Sequence, residues 1–139
     1  MFVGIRILKE GAKLPERKHY HDAGLDVYMP CDGVLQPGPN CVGLGIGIEV
    51  PVGYMANLYP RSSMNKIGII SLLAPIDSGY TGEIHLLVFN GTDKPYHYKK
   101  HDRICQLIFH NIAIVNPINV VDLATKDSRG TQGLGSSGL

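Results

Sequence analysis

No run of apolar residues in this chain approaches the roughly 20 that a membrane-spanning helix requires. Neither sign of charge predominates: 13 Lys and Arg against 12 Asp and Glu leave a formal net charge of +1. A broad nucleic-acid-binding surface is therefore not indicated, although a local basic pocket stays open. Cysteine is scarce. Cys31, Cys41 and Cys105 form an odd set without metal-type spacing, which reads as free thiols in a reducing cytosol. The opening Met-Phe-Val-Gly-Ile-Arg-Ile lacks a signal-peptide layout. Without that signal, the sequon-like Asn90-Gly91-Thr92 reads as a turn. The expectation is a cytoplasmic protein (host cytoplasm if viral) with no membrane and no nucleic-acid partner.

What is present points to one all-β domain, and 139 residues suffice for a real core. Residues 42–50 alternate strictly. Leu44, Ile46, Ile48 and Val50 face one way, Gly43, Gly45, Gly47 and Glu49 the other, the period of a strand. The glycine face is bare, so another subunit or backbone can pack close to it. Further apolar runs at 2–8, 25–29, 54–59, 67–73, 84–89, 104–109 and 112–121 are separated by turn signals such as Gln36-Pro37-Gly38-Pro39 and Pro51-Val52-Gly53. Many short strands at this spacing predict a sandwich, jelly roll or barrel. One short helix is predicted after Pro60, capped by Ser62 or Ser63 and ended by Gly68.

Several segments carry candidate chemistry. Arg61-Ser62-Ser63 places a guanidinium and hydroxyls at a helix start, which suits an anion. Asp77 follows Pro75-Ile76 in a turn, where a carboxylate can act as general base on water, and Tyr80 can stack on a ring or sugar. Asp26 lies early in a strand beside Gly24. Arg103 sits at a strand mouth; beyond it Ile104, Gln106 and Ile108 are expected to share an apolar face, where Gln106 must find a partner. His19, His21, His97 and His101 read as solvated loop histidines rather than a zinc site. The glycine-rich residues 129–139 offer Arg129 and three hydroxyls, the chemistry of a mobile tail that orders over a polyphosphate. Gly133, Gly135 and Gly138 also satisfy a dinucleotide-binding pattern, but no helix follows them in the sequence, and the Rossmann reading is rejected.

Taken in order, five segments resemble the trimeric dUTP pyrophosphatase (dUTPase) family. They are Ala23-Gly24-Leu25-Asp26, Pro60-Arg61-Ser62-Ser63, Ile76 through Gly82, Asp102 through Ile108, and the tail from Arg129 to Gly138. The resemblance implies an all-β jelly-roll or β-barrel subunit with one short helix, assembled as a homotrimer with shared active sites. Residues 1–124 would form the β domain, and 125–139 a flexible arm closing over a neighbouring site. The implied reaction is Mg2+-dependent hydrolysis of dUTP to dUMP and pyrophosphate, with water attacking the α-phosphorus. That reaction limits uracil incorporation into DNA and supplies dUMP for dTTP synthesis.

Residue by residue, the resemblance makes Asp77 the general base and Asp26 the acid that holds magnesium through water. Arg61, Ser62 and Gln106 match phosphate-contacting positions, and Ser63 is a further substrate-binding candidate. Ile76 and Tyr80 belong to the sugar-binding turn, with Tyr80 placed where a ribose 2′-OH would clash. Arg129 and Ser136 match tail residues that grip the terminal phosphates, and Gly135 is a further substrate-binding candidate. Two departures stand out: Leu134 replaces an aromatic, and Ser71 replaces an asparagine that reads uracil. A dCTP deaminase-like enzyme shares the fold but needs a glutamate where this chain has Leu86-Leu87-Val88, most directly at Leu87. A signalling or binding protein of the same fold is the other alternative.

Overall fold

The computed structural model describes residues 1–124 and Gly130. Ten strands and one helix follow in the order β1 (Ile5–Ile7), β2 (Leu25–Val27), β3 (Gly33–Leu35), β4 (Gly38–Gly43), β5 (Ile46–Ile48), β6 (Tyr54–Pro60), α1 (Ser62–Lys66), β7 (Ile69–Ser71), β8 (His85–Asn90), β9 (Tyr96–Tyr98) and β10 (Cys105–Asn111). They form four small sheets, β1-β5, β2-β10-β6, β3-β9 and β4-β8-β7. Every ladder among them is antiparallel. No helix among the described residues is long and apolar enough to cross a membrane.

One core lies between these sheets. Val27, Leu35, Leu44, Ile46, Leu86, Val88 and Leu107 are fully buried and come from six different strands or their flanks. Each such side chain contributes about 1.5–3 kcal/mol by leaving water. Alternation explains the selection: in β8, Leu86, Val88 and Asn90 point inward while His85 and Phe89 are exposed. Asn90 is tolerated there because its amide donates to Leu35 O and Lys94 O and accepts from Thr92.

The predicted strand over 42–50 is divided. Leu44, Ile46, Ile48 and Val50 are buried as expected, but Gly45 takes φ +67° and separates β4 from β5. The glycine face is filled from within the chain: side chains added at Gly43, Gly45 and Gly47 would meet Glu83, Ala12 and the Thr81 carbonyl respectively. Backbone and side chains of this chain already pack against it. The run 112–121 forms no strand; β10 ends at Asn111 and Ile114, Val115, Ile118 and Val121 are exposed. An apolar run becomes a strand only when another strand satisfies its backbone, and Pro117 interrupts this one. β3 and β9 were not anticipated, because Gly-Val-Leu and Tyr-His-Tyr are too short to show a period.

The predicted helix is present but begins earlier than a Ser62 or Ser63 cap implies: its first residue is Ser62, Arg61 is its N-cap residue and no side-chain hydrogen bond caps it. Ser62 and Ser63 therefore lie inside the first turn with their hydroxyls facing solvent. Gly68 at φ +86° turns the chain out of the helix, donating to Asn65 O at 3.1 Å.

Candidate active site

Asp26, Arg61, Ser62 and Gln106 line one pocket and Ile76, Asp77 and Tyr80 another. The first, about 340 Å³, is lined by Lys18, His19, Asp22, Gly24, Asp26, Arg61, Ser62 and Gln106, with Ala23 at its edge. β2 lies against β10 so that Asp26 is the direct partner of Gln106. On its other side Asp26 exchanges both backbone hydrogen bonds with Glu16. Arg61 is held at the same end of the sheet because its N–H donates to Ile104 O at 3.0 Å. The Gln106 side chain lies directly over Gly24, where an added Cβ would come within 2.7 Å of its Oε1.

Asp26 is the electrostatic centre of this pocket. Its Oδ2 accepts a hydrogen bond from Arg103 Nη1 at 2.9 Å, and its Oδ1 lies 3.5 Å from Arg61 Nε. One carboxylate thus holds two guanidiniums, and Arg61 Nη1 also donates to Arg103 O at 3.5 Å; the forked geometry of a guanidinium suits phosphate oxygens. Beneath it, the Cys105 thiol is fully buried and pushed up to about 12, by desolvation first and by the Asp26 charge second. Gln106 does share a face with Ile108, but that face is half-exposed; the core side of β10 carries Cys105 and Leu107. The amide therefore opens into the pocket and needs no buried partner. Ser63 is not in this pocket. It lines the far side of Arg61, with Met64, Tyr96, His101 and Arg103.

The second pocket, about 250 Å³, is lined by Ala74, Pro75, Ile76, Asp77, Tyr80, Glu83, Ile84, His85 and Leu87. It is more apolar, as its lining shows. Ile76 exchanges two backbone hydrogen bonds with Ala56 at 2.8 and 3.1 Å, which fixes the residue just before Asp77 against β6. The buried Asn57 amide, turned so that its nitrogen faces Ala74, donates to Ala74 O at 2.8 Å. Asp77 is exposed at the rim, and its carbonyl accepts from Tyr80 N at 3.1 Å. The Tyr80 hydroxyl donates to Glu83 O at 2.7 Å, which lays the ring over Gly82.

Ser71 stands beside this pocket without lining it. Its hydroxyl donates to Leu58 O at 2.8 Å, so its proton is committed to the fold. Leu87 presents only hydrocarbon to the pocket. The acid that sequence reasoning passed over is Glu83. Its carboxylate accepts from Gly45 N at 2.9 Å and pairs with Lys9 Nζ at 2.8 Å, and the Lys9 ammonium holds it below the usual carboxylate range. Glu83 stands at an outward position of the alternation that buries Ile84, Leu86 and Val88, a signal available in the sequence. Arg129, Leu134, Gly135 and Ser136, with the rest of the proposed arm except Gly130, lie outside the described residues.

Among the described residues no group of three or more His, Cys, Asp or Glu side chains could hold a metal ion. A zinc-type cage is thus not built here. One carboxylate beside an amide and an open phosphate-sized pocket instead suits magnesium, which keeps several waters and takes most of its other ligands from phosphate.

Comparison with known proteins places the chain in a family. The family model described as dUTPase matches residues 10–138. The deoxyuridine 5'-triphosphate nucleotidohydrolase of Clostridium tetani is 36% identical over 138 residues, covering 96% of this chain and 94% of its own. The enzyme of that name from Eremothecium gossypii is 33% identical, over 96% of this chain and 89% of its own. Among solved structures, a mutant dUTPase of Staphylococcus bacteriophage 80alpha with dUpNHpp superposes with a TM-score of 0.91 at 24% identity, covering 99% of both chains. A mutant dUTPase from phage phi11 of S. aureus, whose structure reveals coordination of a structural Mg(II) ion, gives 0.81 at 23% identity over 88% of this chain and 98% of its own. At those identities the structures speak for the fold alone.

Proposed function

The chain belongs to the dUTPase family and is a dUTP diphosphatase; from that premise we propose how its two pockets divide the reaction. The observation that carries the proposal is that the polar pocket around Asp26 and the apolar pocket around Asp77 share no lining residue. A single chain thus offers a phosphate half-site and a nucleoside half-site at different places. A complete site forms when the half-sites of two copies meet, which a closed homotrimer provides. The exposed apolar run Ile112, Ile114, Val115, Ile118 and Val121 supports the same reading, since a segment so placed finds burial on another copy.

In the assembled site Arg61, Ser62 and Gln106 bind triphosphate oxygens, and Arg103 and Asp26 keep Arg61 oriented. Ser63 lines a different pocket on the other side of Arg61 and takes no part in this grip. Ile76 and Tyr80 hold the deoxyribose against apolar surface, where a 2′-hydroxyl would be left without room or partner. Asp77, at the rim, orients a water and accepts its proton as the oxygen attacks the α-phosphorus. The leaving group is pyrophosphate. Asp26 and Gln106 are the residues that would hold hydrated magnesium; when bound, the ion neutralises phosphate charge. Phosphoryl transfer asks chiefly for such positioning and neutralisation. The arm carrying Arg129, Leu134, Gly135 and Ser136 completes the phosphate grip.

Deamination of dCTP is disfavoured by Leu87, and by a Glu83 carboxylate already engaged by Lys9 and Gly45. The deciding experiment is product analysis on dUTP, dCTP, dTTP and UTP with magnesium, with light scattering on the same preparation. Pyrophosphate and dUMP from dUTP, and a threefold subunit mass, are expected. Deoxyuridine nucleotides and ammonia from dCTP, or full activity at a monomer's mass, would overturn the reading.

A further inference from the structure

Glu83 has no role in the reaction as derived above, yet it is the most heavily tethered side chain near the Asp77 pocket. Its carboxylate enters a notch between β4 and β5. The notch exists because Gly43 has no side chain, and any Cβ there would collide with Glu83 Oε1. Gly45, in a left-handed conformation, aims its N–H at that same oxygen at 2.9 Å. Lys9 Nζ takes the second oxygen at 2.8 Å, and the side chain retains only 19% of its accessibility. Neighbouring backbone is joined at the same place, since Leu44 N donates to Ile84 O and Ile84 N to Ile46 O.

The other end of Glu83 faces the pocket. Its carbonyl oxygen accepts the Tyr80 hydroxyl at 2.7 Å and lies 3.0 Å from His85 Nδ1. Tyr80 is otherwise loosely held, with 45% of the residue exposed and its ring resting on the bare backbone of Gly82. The tyrosine's height above the pocket is therefore set by where the Glu83 carbonyl stands, and that is set in turn by the anchored carboxylate. A ring held by one hydrogen bond at its tip keeps a fixed edge toward a sugar; released, it swings on two torsions.

We propose that Glu83 is the positioning residue for sugar discrimination, acting through its carbonyl to hold Tyr80 where the ring excludes a 2′-hydroxyl. The proposal rests on the reading that Tyr80 packs against the sugar. It concerns selectivity, not the chemical step, so Glu83 is not a catalytic residue.

The test is the ratio of kcat/KM for dUTP to that for UTP, measured with magnesium in the wild type and in Glu83→Ala, Tyr80→Phe, the double variant, Lys9→Met and Tyr80→Ala. Glu83→Ala and Tyr80→Phe should each lower the ratio about tenfold, the scale of one lost hydrogen bond, mainly by improving UTP. The double variant should fall no further than either single one, because both act through one contact. Lys9→Met breaks the ion pair from outside the pocket and should move the ratio in the same direction by less, which keeps the test open if Glu83→Ala folds poorly. A Glu83→Ala or Lys9→Met protein that loses activity on both substrates equally, with the ratio unchanged, would reduce Glu83 to a structural residue and overturn the proposal. An unchanged ratio in Tyr80→Ala would instead overturn the sugar-packing reading beneath it.

Discussion

Asp26 and Arg103 stand 77 residues apart in the chain and 2.9 Å apart in the fold, joined Oδ2 to Nη1. With Arg61 on the other oxygen, the carboxylate balances two guanidiniums at the mouth of one pocket. Replacing Asp26 by Asn keeps the shape and removes the balance. The variant should lose about 1–2 kcal/mol of stability, at the low end for a charged hydrogen bond because both arginines are about one-third exposed. It should also need more magnesium for half-maximal rate. Denaturant melts and magnesium titrations of turnover check the two effects separately.

Asp77 projects from a turn that is fixed by Ile76 and Asn57 and not by its own carboxylate. Asp77→Asn should therefore fold normally and bind nucleotide, while turnover falls at least about 10²-fold, the range of a lost general base. Calorimetric titration with a non-hydrolysable analogue, alongside steady-state rates, measures both. Near-normal turnover would remove Asp77 from the mechanism.

Among the described residues the core runs from Val27 to Leu107, and removal of residues 127–139 is expected to leave it intact. The truncated protein should melt like the full chain and show greatly reduced activity. Leu134→Phe should tighten substrate binding by roughly 0.5–1.5 kcal/mol if the ring stacks on uracil. Protease cleavage of the segment, with and without analogue, reports whether it closes; equal rates in both states and full activity after truncation would show it is no lid.

Cys31 and Cys41 are exposed and Cys105 is buried. At pH 8 two thiols should react quickly with a disulfide reagent and the third only after denaturation. Because folding raises the Cys105 thiol from 9.0 to about 12, the folded chain binds the extra proton between those values. Stability should fall as pH rises through that window and be insensitive to this group below it. Cys105→Ala should reduce that slope, leaving the part that the raised Tyr28, Tyr96 and Tyr98 hydroxyls contribute, which melts across alkaline pH would register.

Much of this was legible in the chain itself, and the reasons differ by element. The alternation of Leu44, Ile46, Ile48 and Val50 is a local signal, and all four are buried. The break at Gly45 was not visible, because glycine permits a left-handed turn without demanding one. Asp26, Arg61, Ser62 and Gln106 were chosen one segment at a time, and the fold gathers them into one pocket. Their ion pairs were hidden, since Arg61 and Arg103 reach Asp26 only through the pairing of β2, β10 and β6. Glu83 was missed for the same reason: Lys9 and Gly45 are remote in sequence, and a glutamate in a turn reads as solvated. The run 112–121 was misread because apolar composition predicts burial but does not name the partner that supplies it.

That the two pockets have no residue in common has a genetic consequence. Damage to one pocket leaves the other whole, so a subunit crippled at Asp26 and a subunit crippled at Asp77 each still carry one sound half-site. Co-expressed, two individually dead alleles should complement each other, with about a quarter of the sites in randomly mixed assemblies receiving both sound halves. Two alleles both damaged in the same pocket should never do so. Activity recovered only from the cross-pocket pair would mark the enzyme's unit of function as the contact between chains, and a lesion there would be inherited as a property of the assembly instead of the single polypeptide.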